Sequence, residues 1–112
     1  MKVTRYQDQE INPNPHGVDV RKLYDKDSAQ VVHIKLLPGE GLKPHKTPVD
    51  VFFVVLEGTP TIQVGEEEIV CEKDNLIESP AHVVHNIRNA SESVARILVV
   101  KAPRPTTLSR IL

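Results

Sequence analysis

From Gly17 onward apolar and polar residues alternate in short runs, and turn-forming residues break each run before a helical period can establish itself. Val18 and Val20, with Tyr24 in step, predict a strand that ends at the polar turn Asp25-Lys26-Asp27-Ser28. Gln30 to Leu37 predicts the next strand, with Val32, Ile34 and Leu36 assigned to the core and His33 to the opposite face. Pro38-Gly39-Glu40-Gly41 is a tight turn. Val51 to Leu56 shows no polar alternation at all, so it must be covered on both faces. Thr61 to Val64 and Glu68 to Cys71 flank a hairpin signal at Gly65-Glu66-Glu67. Leu76-Ile77, Val83 to Asn89 and Val94 to Lys101 complete the series. Many short strands separated by turns predict an all-β sandwich or barrel. Residues 1–16, with Pro13 and Pro15, read as an extended arm with room for an edge strand near Val3, and residues 102–112 as a tail compatible with a terminal helical turn.

Length and charge narrow the function classes without choosing one. At 112 residues the chain is expected to be one domain: arm 1–16, barrel 17–101 and tail 102–112. Fourteen basic and fifteen acidic residues are spread along it and give a net charge of −1, which offers no footprint for nucleic acid or an anionic membrane. The apolar run Val51 to Leu56 is far too short to span a bilayer, and the start MKVTRYQDQE has no apolar signal segment, so a cytoplasmic protein is expected. The single cysteine, Cys71, agrees with a reducing compartment and reads as a small buried apolar residue. No nucleophile elbow, phosphate-cradling glycine loop or aromatic stacking platform is evident.

Two stretches carry most of the remaining information. In PGEGLKPHKTPVDVFFVVLEG, Gly39 is followed after five residues by His45, and Gly58 closes the stretch. In DNLIESPAHVVHNIRN, Pro80, His85 and Asn89 stand at fixed spacings. Together they resemble the two motifs of the cupin family, and the chain is identified as a small single-domain cupin of the conserved-barrel type, an antiparallel jelly-roll barrel. Against the family pattern, Thr47 stands for the second histidine, Val51 for the glutamate, and Asp74 and His82 for two glycines.

By strand parity His45, Thr47, Val49 and Val51 share one face, with Phe53 in step, as do His85, Ile87 and Asn89. The resemblance implies that these faces line the barrel lumen and that His45 and His85 inherit the positions of two metal ligands. His82 is the candidate for a third nitrogen, while Asp50 would need a bulge to reach the lumen. Thr47, Val51 and Phe53 are expected to shape the ligand pocket. His16 reads as a solvated loop residue.

Two functions follow as expectations. One is a small cupin holding a divalent transition metal (zinc, nickel, iron or manganese) at His45, His85 and His82, which the resemblance connects with dioxygenase, isomerase or decarboxylase chemistry. The other is a metal-free small-molecule-binding or regulatory module. In either case a homodimer is expected, formed through Phe52, Val54 and Leu56 together with Leu108, Ile111 and Leu112.

Overall fold

The computed structural model describes residues 1–107 and 109–112, and it contains two five-stranded antiparallel sheets facing each other across one core. The strands are β1 (Asp19–Lys26), β2 (Ala29–Leu36), β3 (His45–Lys46), β4 (Val51–Glu57), β5 (Thr61–Val64), β6 (Glu67–Val70), β7 (Leu76–Ser79), β8 (His85–Arg88), β9 (Ala95–Lys101) and β10 (Arg110–Ile111). One sheet runs β1-β2-β9-β4-β7 and the other β10-β3-β8-β5-β6. The alternating runs predict an all-β sandwich or barrel, and the architecture is the double-stranded β-helix that the cupin resemblance implies. No helix among the described residues is long and apolar enough to cross a membrane.

Period-two alternation fixes which side chains fill the core. In the first sheet Ile34, Ile97 and Val55 form one row across three strands, and Val32, Val99 and Phe53 form the next. Ile62 and Ile87 face them from the second sheet, and Ile34, Phe53, Val55, Ile62, Ile87 and Ile97 are all buried. Each large apolar side chain contributes about 1.5–3 kcal/mol through burial. The next row along the same strands is Gln30, Lys101 and Val51, so the apolar pattern ends in a lysine on the inward face.

The turns show why particular residues stand where they do. Gly58 ends β4 at φ +78°, and a Cβ there would lie 2.4 Å from the carbonyl oxygen of Val94. No other residue fits. Asp74 (φ 73°) and His82 (φ 65°) adopt left-handed backbone at the two places where the motif has glycine, and Asp and His are among the non-glycine residues that tolerate it. Asn89 is buried and donates its side-chain amide to the carbonyls of Leu36 and Ser93, which ties the end of β8 to the neighbouring loops.

Four local expectations are corrected. The arm has no strand at Val3; it forms a 3-10 turn at Tyr6–Asp8, held by Arg21, which donates to the carbonyls of Tyr6, Gln7 and Gln9. His33 is buried, because Tyr6 stacks on it at 3.8 Å and Arg96 donates to its Nε2 at 3.0 Å. The chain end is a strand, not a helical turn: Arg110–Ile111 pairs with Lys46 and His45, whose outer edge would otherwise be open. That pairing places Ile111 on the sheet opposite Phe52, so Ile111 and Leu112 do not extend the Phe52 face; Leu108 lies outside the described residues. Phe52 and Val54 are instead neighbours of Val100, Leu98 and Leu76 on the outer face of the first sheet.

Candidate functional site

The register of β3 against β8 makes His45 and His85 direct cross-strand partners on the inward face. Their rings meet edge to face with 4.5 Å between centroids, and the two Nε2 atoms are 3.1 Å apart. Phe53 lies edge-on to His85, 5.3 Å between centroids. The hydrogen bonds assign each nitrogen a role. His45 Nδ1 lies 2.8 Å from the Lys43 carbonyl, which can only accept, so Nδ1 carries the proton and Nε2 is a lone pair. His85 Nε2 must then donate to His45 Nε2, and His85 Nδ1 accepts from the Ser79 hydroxyl at 2.7 Å. Thr47 Oγ1, 3.3 Å from His85 Nε2 and 3.0 Å from Ser109 Oγ, links the pair to the C-terminal strand. As a neutral network the pair is fully hydrogen-bonded.

Above the pair is a cavity of about 170 Å³. Its walls are Val20, Val32, Ile34, Leu42, Phe53 and Val99, and its polar residues include His16, His45, His85 and Lys101. Thus His45, Phe53 and His85 line this cavity, while Thr47 and Val51 are buried without forming its wall. His82 is not brought to the pair: its ring is exposed, and its backbone N–H donates to the Thr47 carbonyl. Asp50 stays outside the lumen, where Oδ1 accepts from the Ala81 N–H and holds the turn.

Two lumen residues were missed. His16, expected in solvent, lies with its ring centroid 5.3 Å from that of His45, and its Nδ1 accepts from the Lys43 N–H at 2.8 Å. Nothing in the sequence points to it, because a loop has no parity. Lys101 could have been found, since Ala95, Ile97, Val99 and Lys101 alternate inward along β9.

The electrostatics of the cavity are one-sided. Burial lowers the pKa values of His16 and His45, and that of His85 to about 4, with His45 adding to the shifts of His16 and His85 and Lys101 contributing less to all three, so the three imidazoles are neutral at pH 7. Burial lowers that of Lys101 as well. No carboxylate forms an ion pair with Lys101 among the described residues, and no cluster of three or more His, Cys, Asp or Glu side chains is grouped to hold a metal ion there.

The family model of the cupin domain matches residues 32–101, and the chain belongs to that family. It is 30% identical over 91 residues to an uncharacterised protein of Methanocaldococcus jannaschii, covering 80% of this chain and 78% of that one. It is 32% identical over 77 residues to the tetracenomycin polyketide synthase protein TcmJ of Streptomyces glaucescens, spanning 65% of this chain and 52% of TcmJ. Among solved structures, a Thermus thermophilus protein superposes with a TM-score of 0.81 at 31% identity, covering 94% of this chain and all of that one. The polyketide cyclase RemF of Streptomyces resistomycificus shares the fold, with a TM-score of 0.80 at 22% identity over 100% of this chain and 85% of its own.

Proposed function

We propose that this cupin binds a small organic molecule in the lumen, against the His45–His85 pair. The observation that carries this reading is the cavity itself: apolar on its walls, with polar ring atoms converging at one end. Ligand sites combine these two properties, and about 170 Å³ is below the range of roughly 300–1,000 Å³ typical for drug-sized molecules. The ligand is therefore compact. The likeness to a polyketide synthase protein supports an organic rather than a macromolecular ligand.

A divalent metal, zinc, nickel, iron or manganese, is the second reading, favoured by the 3.1 Å separation of the two Nε2 atoms. In the other tautomer of His85, with Nδ1–H donating to the Ser79 hydroxyl, both Nε2 lone pairs are free for one ion. The donor set stops there. A catalytic zinc site has three protein ligands as a rule and a structural one four, whereas His82 is exposed and His16 uses its Nδ1 lone pair for Lys43. The residues present fit two coordination positions and fall short of a resident metal centre.

Melting curves of the protein with a metabolite set, with and without chelator, separate the two readings. Stabilisation that survives chelation, with metal near background by elemental analysis, is the expected result. If close to one metal per chain is found, and His45→Ala and His85→Ala each lose it, the metal reading is correct. If no compound stabilises the protein in either condition, the lumen reading fails.

A homodimer is proposed on the outer face of the first sheet, where Phe52, Val54, Leu76, Leu98 and Val100 adjoin one another across β7, β4 and β9. A second copy offers the same surface, as two-fold symmetry requires. Replacing Phe52 and Val54 by lysine is expected to give a monomer, with light scattering falling to half the parent mass. A parent mass of 12.5 kDa at micromolar concentration would refute the dimer.

A further inference from the structure

We infer that the lumen is an anion site, in which Lys101 and His16 hold the carboxylate of a compact, otherwise apolar organic acid. The inference rests on the proposal that the lumen binds a small molecule and adds its chemical class. Lys101 occupies an inward position of β9, opposite Gln30 on one neighbouring strand and Val51 on the other, and neither residue carries a negative charge. Lys101 is half-buried there, a charge withdrawn from water is costly unless it is paired, and among the described residues no carboxylate forms an ion pair with it. The counterion is therefore to be supplied from outside.

The other polar groups point to the same chemistry. With Nδ1 of His16 accepting from Lys43, the neutral ring carries its proton on Nε2 and is a donor. No carboxylate is among the described residues lining this cavity, so none of them repels an anion. Lys101 also borders a second cavity of about 220 Å³ against the tail, with Gln30, Pro105, Thr106, Thr107 and Ser109. The side of the lysine facing the histidines is the one with apolar walls, and that decides for the lumen. A cavity of roughly 150 Å³ is enough for benzene, so 170 Å³ accommodates one ring or a short branched chain.

Sodium benzoate and neutral benzamide, compared by calorimetric titration at fixed ionic strength and by methyl NMR, provide the test. Benzoate is expected to shift the methyl resonances of Val32, Ile34 and Val99 and to bind at least tenfold more tightly than benzamide, about 1.4 kcal/mol. Lys101→Met should reduce benzoate to the benzamide level with the melting temperature unchanged or raised, and Lys101→Arg should retain binding. Lys101→Gln serves the same purpose if the methionine variant fails to fold. Equal binding of both probes in the lumen, unaffected by Lys101→Met, overturns the anion site while the small-molecule reading stands. Benzoate shifts confined to Thr106 and Thr107 also overturn it, because the lysine would then serve the tail cavity. The absence of any benzoate shift at about 10 mM overturns it outright, and stabilisation by neutral compounds then decides the lumen reading separately.

Discussion

Lowering the pH from 7 to 4 is expected to remove about 3 kcal/mol of stability through His33 alone. His33 is 1% exposed, enclosed by Tyr6 stacked on its face and by Arg96 donating to its Nε2, with Arg21 and Asp19 nearby. Burial, and then the Arg96 charge, lower its pKa from 6.5 to about 4. The unfolded chain therefore takes up the proton first. Stability from this residue is complete above pH 6.5, declines as the pH falls, and is lost once the pH passes below about 4. Protonation also removes the Nε2 lone pair that accepts from Arg96 and places a cation beside a guanidinium. The Tyr6 arm rests on this ring and should loosen with it. Urea midpoints for the parent and for His33→Gln, which keeps an acceptor but does not titrate, measure the difference. His16, His45 and His85 are shifted in the same direction and leave a residual slope in the variant. Parallel pH profiles for the two proteins would show that His33 carries no such linkage.

Most of the fold was legible because strand parity is a local rule. Ile34, Leu36, Val51, Phe53 and Val55 point where alternation places them, and all are buried. Legibility failed where the determinant was a distant segment. Nothing near His33 says that Tyr6 will cover it, and nothing in APRPTTLSRIL says that its end will pair with His45–Lys46. Prolines and a few apolar residues suit a helical turn as well as a strand, and the open edge of β3 decided between them.

The site divides along the same line. His45 and His85 were singled out from motif spacing, and the register makes them cross-strand partners, which the spacing did not say. His82 and Asp50 were attractive as ligand types, but their positions serve the backbone: one takes a left-handed turn and the other caps that turn at Ala81. Lys101 was within reach of the parity argument but was hidden by its place at the end of an apolar run. A search for metal-ligating residue types passes over a lysine, although this one defines the charge of the cavity.

Thr47→His is expected to turn the pair into a zinc site, with affinity at least tenfold above the parent. Thr47 is the polar side chain on the Nε2 side of the pair, with Oγ1 3.3 Å from His85 Nε2, and its weak ligating power separates the cluster from a three-imidazole set. Neutral imidazole is the ligand form, and burial keeps both existing rings neutral at pH 7. Two effects oppose the gain. Thr47 is 1% exposed and hydrogen-bonded to Ser109, so a larger ring must displace the start of the C-terminal strand, at a cost of about 1–3 kcal/mol. The positive charge of Lys101 faces the same cavity and repels a cation. The double variant Thr47→His with Lys101→Met removes the second effect and should bind zinc more tightly again. Competition against a chromogenic chelator reads both steps, with far-UV circular dichroism confirming that each variant is folded. If zinc affinity is unchanged in both folded variants, the geometry around His45 and His85 cannot converge on one ion, and the metal reading of this lumen falls with it.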